Sequence, residues 1–417
     1  MRKLVSAMQA RIEGFLAQRK NLLLVVRASP AEYLPLASVL AGIESGGSPD
    51  DFLLFPEPFE DPAKYATALV KNVAGRYAVI GPGLREAGQD VPAELPATVR
   101  DERRPPVDRL RELFVFERGL IADLEVAHLV VGLLPSRIAD ANAYAHLVMA
   151  LVPHELPVPW CHHMRFVVRE EASQALLSQN ARALPRTELY APDFSQDAIA
   201  KSLEEEAYDE AEPLPVRMQA LLLSAGMDYA HARLPAAAEK YALLSRYHTT
   251  LGPPVMLALS LNGIGEVLAR AGNPAEAQRR FEQALTPAIE SKSVPVLTNI
   301  TLNLANLHRQ QGRWKDAHEH YHAVSGLAKL QVNPPLQLRC LEQMGFCKHK
   351  LKDTKGAWQH WHAGVELARG VGAREDLLDC LQRLRNLYKE LGMSAREREV
   401  TAEAAVLERQ GVRPFSA

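Results

Sequence analysis

The side chains best suited to chemistry gather in a few places. Cys161-His162-His163 sets a thiol beside two imidazoles. His318, His320, His322, His360 and His362 crowd one part of the C-terminal half. Arg27-Ala28-Ser29-Pro30-Ala31-Glu32-Tyr33 and Gly81-Pro82-Gly83 each follow an apolar run, where a phosphate-binding loop would sit. A Cys–His nucleophile pair usually draws its members from distant positions, and neighbours in an extended segment point to opposite faces. His162 is therefore not expected to reach the Cys161 thiol, and the segment reads as a turn leading into a strand, with partly buried rings. His318 and His322 share a helix face at a spacing that can bind zinc. Nothing fixes a third ligand, and His320/His360 and His322/His362 are pairs separated by one and the same interval. Duplication accounts for the cluster, and no metal is expected. A phosphate cradle needs glycines that aim backbone N–H groups inward, and a Lys for charge. Arg27–Tyr33 has neither, and Glu32 would repel a triphosphate. Gly81-Pro82-Gly83 runs on into Leu84-Arg85-Glu86, without the Lys and Ser or Thr that such a loop needs. Neither nucleotide hydrolysis nor a cofactor is expected.

The elements that must position these groups differ between the two halves. Residues 2–19 carry Leu4, Met8, Ile12 and Leu16 at helical spacing. Short apolar runs follow at 21–26, 51–55, 77–80, 128–134 and 164–169, each the length of a buried strand. Helices are expected between them, opening at Ser29-Pro30 and Asp61-Pro62, where Pro stands at the first helical position. The first runs to about residue 44 and the second to about 73. Further helices are expected over 107–122 and 138–151, with a long loop over 81–106. Buried strands alternating with helices indicate an α/β domain with a largely parallel sheet over residues 1–190. Residues 191–214 form an acidic linker or helix rich in Glu204, Glu205, Glu206, Asp209, Glu210 and Glu212, read as a solvated connector.

From 215 to 417 a single pattern returns at a period of about 40 residues, within the range of helical repeat units. Ala237, Ala277, Ala317 and Ala357 share one phase, and Tyr241, Phe281, Tyr321 and Trp361 follow one helical turn later. Ile264, Leu304, Met344 and Leu384 recur upstream, and Gly272, Gly312 and Gly392 mark turns. Repetition at this period means stacked helical hairpins, here about five, each burying its apolar face against its neighbours. The small Ala lets the two helices of a hairpin approach, and the aromatic is expected to fill the space between hairpins. With 48 basic and 50 acidic residues the net charge is −2, so no global field draws the chain to nucleic acid or anionic lipid. The four cysteines form no disulfide framework or Cys-x-x-Cys site, and charges interrupt any N-terminal apolar segment. A reducing, cytoplasmic setting without a membrane is expected, and heavy use of Ala, Arg, Leu and Pro hints at a bacterial source.

Gly265-Glu-Val-Leu268, Gly272 and Ala277-x-x-x-Phe281-x-x-Ala284-Leu285, with Ala317-x-x-x-Tyr321, Gly345 and Ala357-x-x-x-Trp361, resemble the tetratricopeptide repeat (TPR). Units of that family run about 34 residues, so the excess is placed in the second helix and the linker. The resemblance implies an all-α superhelix that binds a protein or peptide in a concave groove lined by the first helices. By position the groove residues are Asn262, Glu266, Asn299, Asn306, Arg309, Arg339, Glu342, Phe346 and His349. Asn would hydrogen-bond an extended peptide, and Arg309 and Arg339 would hold a carboxylate. The carboxylate clamp of chaperone-binding TPRs is not reproduced, since Glu266 and Glu342 stand where it has Asn and a basic residue. The order of elements over about 15–190 is similar to the AAA-like NTPase domain of STAND regulators, with Arg169 where that family often has a sensor Arg. The departures at Arg27–Tyr33 and at Gly132-Leu-Leu-Pro135, where magnesium would need an acid, imply a degenerate domain. The expected function is a non-enzymatic adaptor or regulator. A secretion-associated chaperone or assembly adaptor, and a STAND-like signalling ATPase with a diverged phosphate loop, are the alternatives.

Overall fold

A computed structural model describes residues 2–152, 158–179 and 185–413. The chain divides into two units, Met1–Ser202 and Leu203–Ala417. In the first, α1 (Arg2–Ala17), β1 (Leu23–Arg27), α2 (Pro30–Ser45), β2 (Asp51–Phe55) and α3 (Pro62–Glu86) follow in order. They lead to α4 (Ala97–Arg100), α5 (Pro106–Arg118), β3 (Leu129–Leu133), α6 (Ala141–Leu151), β4 (Met164–Glu170), α7 (Leu176–Gln179) and β5 (Thr187–Tyr190). The strands form one sheet in the order β2-β3-β4-β1-β5. Each pairing is parallel, with Val25 opposite Val168 on one side and Leu189 on the other.

Alternation along each strand sends side chains to two cores. Leu23, Val25, Leu53, Phe55, Val131, Phe166 and Val168 pack with α3, α5 and α6. Leu24, Val26, Phe52, Val130 and Val167 pack on the other face with Met8, Ile12 and Phe15 of α1 and with Leu36 and Leu40 of α2. Both faces are covered, which is why the strands read as continuous apolar runs rather than alternating ones.

Two expectations for this half are corrected. Tyr77–Ile80 is not a strand: it lies inside α3, which passes the expected end at Val73 and continues to Glu86. Tyr65, Leu69, Val73, Tyr77 and Gly81 form one buried stripe at helical spacing, while Val79 is 79% exposed, as no strand covered on both faces would leave it. The expected loop over 81–106 is correspondingly shorter and is interrupted by α4, and Gly81-Pro82-Gly83 is helical. The fifth strand is instead β5, whose residues are only partly buried or exposed. Its weak apolar pattern hid it.

Helix α8 (Gln196–Ala207) holds the start of the acidic segment and crosses from one unit into the next. It is more than a solvated connector. Leu203 and Ala207 are buried, Glu206 is 4% exposed, and Glu204 accepts a hydrogen bond from the Lys240 ammonium at 3.0 Å. Lys240 also meets the buried carboxylate of Asp228 at 2.7 Å.

Ten helices follow among the described residues: α9 (Leu214–Ala230), α10 (Leu234–Thr250), α11 (Pro254–Arg270), α12 (Pro274–Glu290), α13 (Val294–Gln310), α14 (Trp314–Leu330), α15 (Pro334–Lys350), α16 (Thr354–Val371), α17 (Arg374–Glu390) and α18 (Ser394–Arg409). They start at one even interval, and all span 17 residues except α16 with 18 and α18 with 16. The excess over a shorter TPR unit is therefore shared by both helices, not confined to the second helix and the linker. Turns within a hairpin and between hairpins are built alike. Each places one residue in the left-handed region, at Ala232, Gly272, Lys292, Gly312, Val332, Lys352, Gly372 and Gly392, with the turn at Gly252 the exception. The turn before α15 is representative. Val332 donates its N–H to the Lys329 carbonyl at 3.1 Å, and Asn333 reaches back to Ala328 at 3.0 Å, closing the helix end.

Val332 is β-branched, has φ of 51°, and is 84% exposed, so it carries the steric cost of the left-handed region without any packing in return. Val332→Gly is expected to raise stability by about 1 kcal/mol, read as the urea midpoint. Gly312→Val at the equivalent turn should cost a similar amount.

The repeat's aromatic sits mainly inside its own hairpin. A Cβ added to Gly265 of α11 would lie 2.5 Å from the Phe281 ring of α12, and Gly345 of α15 stands against the Trp361 indole of α16 in the same manner. The absent side chain makes the seat. Tyr241 departs from this by packing on Gly263 of the next hairpin. Among the described residues no helix is long and apolar enough to cross a membrane.

Candidate functional site

Three pairs of neighbouring first helices, α9 with α11, α11 with α13 and α15 with α17, are joined by a ladder of side-chain contacts, most of them at one recurring offset in sequence. Asn303 of α13 donates its amide to Asn262 of α11 at 3.0 Å, and to Glu266 at 2.8 Å. Two hairpins on, Arg383 of α17 donates to Glu342 of α15 at 2.8 Å. His349 meets Glu390 at 2.8 Å, and Arg270 reaches the Tyr229 carbonyl at 2.8 Å. The even spacing of helix starts makes these contacts regular.

The nine residues assigned to the groove by position fall into four groups. Asn262 and Glu266 belong to the network with Asn303, and Asn262 is 4% exposed. Its amide is committed to neighbours rather than offered to a peptide. Asn306 accepts from the Tyr321 hydroxyl at 2.7 Å. Arg309 lies beside that phenol, and its buried Nε has no hydrogen-bond partner among the described residues. Asn299 and Arg339 are exposed at equivalent places on α13 and α15. Glu342, Phe346 and His349 gather on α15. Phe346 meets Trp314 edge-on at 5.7 Å and lies under Lys350 and Arg383, while His349 packs near Trp361.

Between α15 and α17 the chain leaves a cavity of about 530 Å³. Pro335, Leu336, Leu338 and Cys380 give it apolar walls, and Arg339, Glu342, Asp376 and Asp379 give it charge. Burial raises the Glu342 carboxyl above its ordinary range against the pull of Arg383. Burial and neighbouring Asp379 raise Asp376 as well. Asn303, Arg383, Asp376 and Asp379 were not among the residues expected from sequence. Asn303 and Arg383 stand one ladder step from Asn262 and Glu342, so the spacing between adjacent first helices was the signal that would have found them.

The histidines sort into pairs. His318 and His360 face each other through their Nε2 atoms at 3.1 Å, and His308 stacks on His320 with centroids 5.1 Å apart. Burial lowers His318 and His308 to about 4, with His360 acting on the former and Arg313 on the latter. Two neutral rings can share one proton as donor and acceptor. Among the described residues no group of three or more His, Cys, Asp or Glu is placed to hold a metal. All four cysteines are free and buried. Burial pushes the Cys340 and Cys380 thiols to about 12 and Cys347 to about 11, so they stay protonated and inert. Cys161 donates to the Val158 carbonyl at 3.2 Å, within the turn that precedes β4.

In the α/β unit, the carboxyl ends of the strands are closed by side chains. The Glu32 carboxylate accepts the Ser29 N–H at 2.8 Å and also its hydroxyl, at the start of α2. Arg169 is fully buried over the Tyr33 ring, donating to the Pro135 carbonyl at 2.8 Å and to Glu171 at 2.6 Å. Glu170 accepts from the backbone N–H groups of Leu177 and Ser178.

The C-terminal unit is a TPR-like array of five helix pairs, preceded in the chain by an α/β unit with a parallel sheet. Neither a protein-family model nor a curated protein sequence matches this chain. Among solved structures it is similar to BtubC (BKLC) from P. vanneervenii, at 15% identity and a TM-score of 0.44, over 52% of this chain and 92% of that one. It is similar to aspartyl phosphate phosphatase F from Bacillus subtilis, at 13% identity and 0.41, over 52% and 66%. A STAND protein with a tetratricopeptide repeat sensor from Pyrococcus horikoshii is similar over 98% of this chain and 82% of its own, at 7% identity and 0.41. These likenesses are distant, and the repeat architecture rests on the chain's own helix spacing.

Proposed function

We propose that the repeat unit is a non-enzymatic scaffold that holds a segment of a partner protein against its first helices, seated between α15 and α17. The observation that carries this reading is the cavity of about 530 Å³, whose apolar walls and charged rim suit a side chain anchored from a peptide. Asn299, Arg309 and Arg339 extend the contact surface along α13 and α15, whereas Asn262, Glu266 and Asn306 support it from within. The test places a photo-cross-linking residue at Arg339, with Lys329 on a second helix as control. A discrete adduct from Arg339 alone is expected in host extract, and Arg309→Ala/Arg339→Ala should release that partner. A double variant that keeps every specific partner would overturn the seating.

The α/β unit is read as a non-hydrolytic companion in a reducing, cytoplasmic setting. What supports this is Glu32, whose carboxylate occupies the amide that an incoming phosphate would need at the start of α2. Magnesium-dependent phosphate release from ATP above the buffer background would argue for the ATPase alternative.

A further inference from the structure

At the opposite, amino-terminal edge of the sheet, a cavity of about 510 Å³ opens where β1, β4 and β5 begin. Arg19, Arg165 and Arg186 line it, together with Leu22 and Cys161-His162-His163. Three arginines thus border one cavity, from the loop after α1, the start of β4 and the approach to β5. We propose that this cavity binds the phosphoryl group of a small phosphate ester.

Among the described residues, positive charge in this cavity is only partly compensated. Arg165 is 7% exposed, and its terminal nitrogens are spent on the Met164 and Gln18 carbonyls, both at 2.9 Å, not on a carboxylate. Its Nε, and one terminal nitrogen of Arg186, are buried without a hydrogen-bond partner among the described residues. Burial, with Arg186 and Arg19 nearby, works against the charge on Arg165. Among the described residues Glu125 is the one acid in the lining, and it is exposed. Asp50 favours the Arg165 charge from outside the lining, where it accepts the His128 backbone N–H at 2.8 Å. A buried guanidinium such as that of Arg165 calls for a compensating anion.

The backbone fixes the same wall independently. His163 and Arg186, with φ of 59° and 63°, are the non-glycine residues with left-handed backbone among the described residues of this unit, and both line the cavity. Their carbonyls are pinned, His163 to the Leu129 N–H and Arg186 to the Leu22 N–H, each at 2.8 Å. Strain held this firmly aims side chains. A phosphate dianion matches three arginines offset by one glutamate, and the guanidinium fork fits its oxygens better than a lone amine would. The volume exceeds that of a phosphate alone, leaving the ester's organic part against Leu22, His162 and His163.

The test uses the full chain at constant ionic strength, with inorganic phosphate, glycerol phosphate and acetate as probes. Thermal shift and calorimetry should show saturable binding of both phosphates and none of acetate, with the ester tighter than free phosphate. Arg19→Gln and Arg186→Gln should each weaken binding about tenfold, while leaving the unliganded melting temperature near wild type. Should Arg186→Gln fail to fold, Arg19→Gln alone decides, because that side chain is exposed. No saturable binding, or equal affinity in the variants, would overturn the assignment; inorganic phosphate binding without any gain from the ester would overturn the ester and leave an inorganic-phosphate site.

Discussion

Replacing Trp361 with alanine is expected to lower the stability of the repeat unit by about 4 kcal/mol. The indole is 2% exposed, rests against the bare backbone of Gly345, and donates its Nε1 hydrogen to the Glu342 carbonyl at 3.0 Å. Removing it empties a space bounded by two helices that a short turn holds together, so collapse is limited. The partner substitution separates shape from mere hydrophobicity. Gly345→Ala gains helix propensity, yet its methyl must displace the indole, and the net cost in the wild-type background should be about 1–3 kcal/mol. In a Trp361→Ala background the same methyl enters vacated space and should be neutral or stabilising. Urea unfolding of the four proteins gives the coupling directly. Strictly additive costs would mean that Gly345 is not the seat of the ring.

A second large effect concerns Glu117, on the buried face of α5. It is 3% exposed, one of its oxygens has no partner among the described residues, and burial pushes its carboxyl up to about 7, against the pull of Arg76. Proton uptake sets the direction of the pH effect. Between the ordinary value of 4.5 and about 7, the folded chain keeps a proton that the unfolded chain has lost. Stability contributed by the neutral acid is therefore complete below the unfolded value and is lost as pH rises through that window. The cost above pH 7 is about 3 kcal/mol. Glu117→Gln keeps the shape without the titration, and should flatten this part of the stability profile and raise stability at pH 8. A wild-type profile that climbs from pH 5 to pH 7 in step with Glu117 would contradict the assignment.

The helical half was legible because its pattern repeats: Ala277 and Phe281 announce the same hairpin that Ala357 and Trp361 do. What the repeat could not disclose was commitment. Asn262 looks available on a helix face until Asn303 and Glu266 are seen to occupy it, and such pairing between neighbouring first helices depends on how the hairpins stack. In the α/β half, Tyr77–Ile80 misled because four apolar residues suit either a strand or a long helix. Only the continuing spacing from Tyr65 through Gly81 decides between them. Thr187–Tyr190 escaped because an edge strand needs few apolar residues. Arg19, Arg165 and Arg186 share no local motif, and the parallel pairing of β1 with β4 and β5 is what assembles them.

The even spacing of the helices carries a consequence for how this chain can change length. Every junction from α12 onward turns on one left-handed residue, and the contacts seen between successive first helices mostly share one offset. A whole module can therefore be spliced in or out as a complete helix pair, while a shorter insertion inside a helix would shift one rung of the ladder against the next. The array behaves as a ruler with one permitted increment. Its length is set by how many modules the gene carries.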